Sequence, residues 1–333
     1  MAWSLKIYPF DELWKILQDS PIVYYQDGLS TPIPYPDFKS NIVDIPCYQS
    51  EGQPVPFQLT KDEQVNIAIA DSFLSINDYS KARKYAKLVL KSNPKLSNIM
   101  DYIARTYTLE NNPNAAKKWY RKSISTNFYD IKAHWQLGVL LAISGDIDAA
   151  VPQITIAKIL NRNEPLVDLC FKNILHEALR DTTDWYFNPQ IKVEKTCEDT
   201  VKIFADPLWW GYGIHEALWK YEPGFHQNDK KPDGIFDLLY YMEGFESLWD
   251  TLVNSRVDLS KHPALNILVQ SIPQEAVKSQ GVNQLDNFCL EYVNYEIALP
   301  NNPYAAYFFP KDEIMKIQRY ILELRHKNLA KSK

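Results

Sequence analysis

The sequence predicts an all-α protein: an α-solenoid of three helix-turn-helix repeats with a capping helix, packed against a second helical domain. Aligning the chain with itself at an offset of 34 residues brings small residues into register, Ala70 with Ala104 and Gly138, and Ala82 with Ala116 and Ala150. A period of this length marks stacked two-helix units. The chain is 46% hydrophobic over 333 residues, enough to build one or two cores. It contains only 10 glycines, which argues against the phosphate-cradling loops and doubly wound sheets of nucleotide-binding folds.

Residues 1–60 read as a proline- and tyrosine-rich arm. Phe10 to Leu17 is spaced as one short amphipathic helix. Beyond it Pro32, Pro34, Pro36, Pro46, Pro54 and Pro56 prevent any long helix. Tyr24, Tyr25, Ile33, Tyr35, Ile42 and Ile45 are too apolar for a solvated linker, so the arm is expected to lie on a surface, either along the repeats or on the last domain, or to enter the repeat groove as an internal ligand.

Residues 61–180 hold the repeats and their cap. Two antiparallel helices approach closely only where each presents a small side chain, and larger residues must fill the gaps around that point. Ile69, Ile103 and Leu137 precede the first small position, and Phe73, Tyr107 and Leu141 follow it by three, on the same helical face. Asn77-Asp78, Asn111-Asn112 and Gly145-Asp146 supply the turns between paired helices. This pattern resembles the tetratricopeptide repeat (TPR) family over residues 63–163. The family's closing proline is present only as Pro94; Phe128 and Arg162 stand in its place later. The register fails beyond three units. Glu164 to Arg180, with Val167, Phe171, Ile174 and Ala178 on one stripe, reads as the cap that a terminal repeat requires.

The resemblance implies that the first helices line a concave surface that binds a peptide or partner helix. Carried over position by position, the inward residues include Gln64, Asp71, Asn98, Asp101, Arg105, Lys132 and Trp135, with Ile67 and Val139 beside them. Members that clamp a C-terminal carboxylate use five basic or amide residues; the corresponding positions here are Ile67, Asp71, Tyr102, Lys132 and Gln136. An acidic tail is therefore excluded, and a partner of mixed polarity anchored at Trp135 is expected. The alternative is that Asp71, Asp101, Arg105 and Lys132 only pair with one another across adjacent repeats.

Charge supports no broad nucleic-acid surface. The 36 basic and 41 acidic residues leave a net of −5. Residues 61–164 are the basic part, with 15 basic against 10 acidic residues. Lys81, Lys84, Lys87, Lys91, Lys117, Lys118, Arg121 and Lys122 fall on the second helices, a stripe that reads as a solvated convex face or a contact for an acidic partner.

Residues 181–203 read as a connector and 204–333 as a helical C-terminal domain. Helical stripes are predicted at Gly234 to Val253, Pro263 to Lys278, Val282 to Leu299 and Lys311 to Leu329. An enzyme built around Trp209 to His226 is the competing function, with His215, Glu216 and His226 as the residues for acid-base work. A small-molecule site at Trp209, Trp210 and Tyr212 also stays open, since flat rings stack on sugars and bases as well as filling cores. His215-Glu216 and His176-Glu177 begin like a helical zinc motif, but Trp219 and Arg180 occupy the place of the second histidine. Glu243, Glu246 and Asp250 share a helix edge without a histidine ligand among them. No metal and no cofactor is expected. Cys47, Cys170, Cys197 and Cys289 are far apart, as reduced thiols are. Without a long apolar run, the expected setting is cytoplasmic.

Overall fold

The computed structural model describes residues 10–34, 47–50, 53–183, 186–225 and 291–329, together with 243–245, 247–249, 251, 252, 258 and 265. The chain divides into two compact units, one formed by Met1–Phe38 with Asp184–Asn301, the other by Lys39–Thr183 with Asn302–Lys333.

The second of these contains the repeats. Helices α2 (Lys61–Ser75) and α3 (Tyr79–Ser92), α4 (Ser97–Leu109) and α5 (Pro113–Thr126), and α6 (Ile131–Ile143) and α7 (Ile147–Leu160) form three hairpins that stack in order, with α8 (Pro165–Glu177) on the last. Local chemistry fixes every hairpin in the same way. Asn77, Asn111 and Gly145 adopt left-handed φ angles of 61°, 58° and 81°, which Asn and Gly tolerate best. The next residues, Asp78, Asn112 and Asp146, accept hydrogen bonds from the backbone N–H groups of Lys81, Ala115 and Ala149 and so cap the second helices. Thr60 and Glu63 close a reciprocal capping box on α2. Asp130 caps α6, and Glu164, one period later, caps α8.

The small residues lie where the helices nest. Ala70, Ala104, Ala82, Ala116 and Ala150 are fully buried. A Cβ on Gly138 would stand 3.1 Å from the Ile154 backbone nitrogen, so α6 and α7 meet there too closely to take a methyl group without a shift. Ala86, Val89, Leu96, Ile99 and Ile103 form a core shared by the first two repeats, against which Phe57 and Leu59 pack. Ahead of them, strands β2 (Cys47–Ser50) and β3 (Gln53–Pro56) pair as a hairpin.

Residues 302–329 join this unit, whereas the sequence placed them in a separate C-terminal domain. Helix α10 (Lys311–Tyr320) packs on α7, and Gln318 Nε2 donates to the Pro152 carbonyl at 2.7 Å. Past α10 the chain returns to the end of α8. Asp181 N donates to Lys327 O and Leu329 N to Leu179 O, both at 2.9 Å; Arg325 Nη1 reaches Thr183 O at 2.7 Å. The Arg180 guanidinium bonds the carbonyls of Leu322 and His326. The stripe of Ile314, Ile317 and Ile321 does form a helical face, and its burial partner is the repeat array.

The other unit holds a sheet that the sequence reading lacked. Strand β4 (Ile191–Cys197) runs antiparallel to β5 (Thr200–Ala205), and β1 (Val23–Asp27) pairs with β5 in parallel, giving the order β1-β5-β4. The second half of the connector assigned to 181–203 is therefore strand. Its period-two burial is plain in β5, where Val201, Ile203 and Ala205 point inward. Helix α9 (Trp210–Tyr221) packs on β4 and β5. Gly213 permits this, because a Cβ there would fall 2.7 Å from Ile203 Cγ2. Helix α1 (Phe10–Asp19) precedes β1. The helices predicted over 234–253 and 282–299 are seen only in part, as helical residues between 243 and 252 and from 291 onward; 263–278, apart from Leu265, lies outside the described residues.

Candidate binding groove

The inner faces of α2, α4 and α6 enclose a cavity of about 620 Å³. Six of the seven nominated residues line it: Asp71, Asn98, Asp101, Arg105, Lys132 and Trp135. The seventh, Gln64, is turned to its own helix start and donates from Nε2 to the Leu59 carbonyl at 3.0 Å. All five positions equivalent to the family's carboxylate clamp, Ile67, Asp71, Tyr102, Lys132 and Gln136, also face this space.

Repeat geometry explains the convergence. Ile67, Asp101 and Trp135 occupy one register position, and Asp71 and Arg105 another, so each hairpin projects its own residue toward the same axis. On α4, Asn98, Asp101, Tyr102 and Arg105 stand at i, i+3, i+4 and i+7, along one face.

The floor is polar and incompletely satisfied. Asp101 is 8% exposed, and its Oδ1 has no hydrogen-bond partner. Asn98 Oδ1, the Tyr102 hydroxyl and Trp135 Nε1 are likewise buried without a partner. Burial, together with the nearby Asp130 carboxylate, pushes the Asp101 carboxyl well above its usual range, against smaller pulls from the Ser123 hydroxyl and then Lys132. Asp130 itself is held by α6, accepting from Ala133 N at 3.1 Å and from Ser123 Oγ at 2.9 Å. The Tyr102 and Tyr120 phenols are pushed upward, first by burial and then by the carboxylates of Asp71 and Asp101 respectively. Among the described residues, Asp71, Asp101 and Arg105 form no ion pair. For these three, mutual neutralisation is therefore not what the groove does.

Three contributors went unread in the sequence. Phe57, just before α2, and Tyr307, in the 3₁₀ turn Pro303–Phe308, border the cavity. Tyr129 holds the second of these segments in place: its hydroxyl donates to the Phe309 carbonyl at 2.6 Å, and its ring stacks on Tyr307 with centroids 6.4 Å apart. Nothing in local periodicity marks a contact across 180 residues.

On the second helices, part of the basic stripe has partners of its own. Lys81 pairs with Asp78 at 2.9 Å, and Lys87 and Lys122 lie over the Trp119 ring at 5.9 and 4.9 Å.

The aromatic run of the other unit is interior. Trp209 and Tyr212 are buried and pack edge to face at 5.9 Å, with Phe187 against both; Trp210 is only half-buried. His215 is buried, and its Nδ1 meets the Gly211 carbonyl at 2.8 Å within its own helix. Glu216 binds Lys220 one turn on, and Trp219 Nε1 donates to Glu243 at 2.9 Å. His226, Glu246 and Asp250 lie outside the described residues. Among the described residues no helix is long and apolar enough to cross a membrane.

Three 34-residue hairpins with a cap define the protein's repeat unit as a TPR-like α-solenoid. No protein-family model matches the chain, and no curated protein does. Among solved structures it is similar to YrrB, described as a TPR protein with an unusual peptide-binding site, at 13% identity and a TM-score of 0.33 over 63% of this chain and 93% of that one. At that level of similarity the assignment rests on the repeat geometry above.

Proposed function

We propose that this is a protein-binding or scaffold protein whose repeat groove takes an extended peptide or a partner helix of mixed polarity. The supporting observation is that Asn98, Asp101, Tyr102 and Trp135 line one cavity and each carries a buried polar atom without a hydrogen-bond partner. Such atoms cost stability in the free protein and are repaid when a ligand supplies donors and acceptors. Trp135 is the anchor, because a large ring with a free N–H gives both contact area and a directed hydrogen bond. The acidic and basic rim residues Asp71, Arg105 and Lys132 set the orientation of the partner. The catalytic alternative draws little support from His215 and Glu216, which are engaged within α9.

Selection of a random-peptide display library on the intact protein, with Trp135→Ala as the counter-selection, tests this reading. It expects peptides retained by the wild type and lost by the variant; a set of binders indifferent to Trp135 would contradict it.

A further inference from the structure

Resting on the reading of the groove as the binding surface, we propose that it receives a basic side chain, a lysine or arginine carried by the partner segment, with Asp101 as the counter-ion.

The acceptors are the reason. Asn98 Oδ1 and Asp101 Oδ1 project from one turn of α4, both buried and both without a donor. An ammonium or guanidinium carries several N–H donors and can serve the two together. An apolar side chain would leave both acceptors dry and unmet, a costly arrangement. An anion would face the carboxylates of Asp71, Asp101 and Asp130, with Arg105 and Lys132 as the cations along the cavity among the described residues, both of them exposed. The field of Lys132 acts on Asp101 in the lowering direction.

The surroundings suit the rest of such a side chain. Ile67 and Ile131 supply aliphatic wall for its methylene stem. Tyr102, Tyr120, Tyr129 and Trp135 present aromatic rings, whose faces attract cations. Trp135 Nε1 can only donate, so it cannot hold the cation. It takes a backbone carbonyl of the partner, which places the basic residue on an extended stretch of chain.

Peptides selected as above, on the intact chain and dependent on Trp135, are the probes. The proposal expects them to share a lysine or arginine. Replacing that residue by norleucine should weaken binding about tenfold or more, the ordinary effect of losing a hydrogen bond to a charged group. Asp101→Asn should weaken the lysine peptide by a similar factor while leaving the norleucine peptide within about twofold, since the two changes remove the same interaction. Asn98→Ala should weaken the lysine peptide as well. Asp101→Asn removes a destabilised carboxyl and keeps the volume, so the variant is expected to fold; a thermal melt checks this. Trp135-dependent peptides without a basic residue, or equal affinities for lysine and norleucine forms, would overturn the proposal and leave the peptide groove standing. Failure to obtain any Trp135-dependent peptide would remove the groove reading and this proposal with it.

Discussion

The Tyr129 hydroxyl donates to the Phe309 carbonyl at 2.6 Å, and this one bond ties the segment after Asn302 to the wall of the repeat groove. Tyr307, held by the same tyrosine through ring stacking, is thereby fixed at the cavity edge. Tyr129→Phe keeps the stack and removes the bond. It is expected to cost about 1 kcal/mol of stability and to raise amide exchange selectively over residues 303–309, read by hydrogen exchange. Unchanged exchange there would show that the bond does not hold the segment.

Helix nesting makes a second prediction. Ala104 has no exposed surface and sits where α4 meets its neighbours. Ala104→Leu should destabilise the protein by about 1–3 kcal/mol through overpacking. Ile143→Ala, at a position 78% exposed, should change stability by less than about 0.5 kcal/mol. Urea titrations of the two variants compare these values.

Asp101 has a pH signature. Its folded-state carboxyl holds its proton to higher pH than the unfolded chain does. Below the unfolded value of 3.8 both states are protonated and nothing is lost; as pH rises from there through the higher folded value, stability falls. Asp101→Asn should therefore melt at a higher temperature than wild type at neutral pH, with the difference shrinking toward pH 3.8. A variant less stable at neutral pH would mean that the carboxylate is satisfied after all.

His326 acts in the opposite sense. Burial first, then Arg325, pushes its imidazole down to about 3 from 6.5. The neutral ring meets the Asp181 carbonyl through Nδ1 at 2.7 Å and packs edge-on against Phe171 at 5.2 Å. Stability is fully present above pH 6.5 and is lost as pH falls through that window toward 3, because the unfolded chain binds the proton more readily. Buried His134, shifted the same way, contributes alongside. His326→Asn can retain the donor to Asp181 and should flatten the acid side of the stability profile between pH 6.5 and 4.5; a profile identical to wild type would refute this.

An ion pair between buried Lys158 and half-buried Asp168 joins the last repeat to its cap. Lys158 is 3% exposed and contacts Asp168 at 2.6 Å. Burial pushes the ammonium down to about 7 against the pull of that carboxylate. Removing Asp168 alone should cost about 3 kcal/mol, whereas Lys158→Met should cost less than about 1 kcal/mol, since a buried charge without its partner is worse than an apolar replacement. Equal losses in denaturant titrations would contradict that asymmetry.

Much of the repeat unit was readable because its information is local. Helix caps, left-handed turns and small residues recur at one spacing, so Asp78, Asn112 and Asp146 could be placed from the sequence as surely as Ala70 or Ala104. Asp130, beside Asp101 in the groove, was missed although its cap position repeats at Glu164. What failed was long-range pairing. Strand β1 pairs in parallel with β5 at a separation of 177 residues, Val23 opposite Thr200, a contact that no hairpin turn announces. The alternation of Val201, Ile203 and Ala205 was a usable signal, yet short strands inside a helical chain are easily read as linker. The return of α10 to α7 had no sequence sign beyond its own apolar stripe, which says that a helix is buried but not against what.

The most direct test of the central claim is the affinity of one library-selected peptide for the intact protein and for Trp135→Ala, measured by titration calorimetry on samples shown to be folded. The groove account predicts a loss of about thirtyfold or more in the variant, the scale of a buried aromatic anchor. Equal affinities for the two proteins would contradict it.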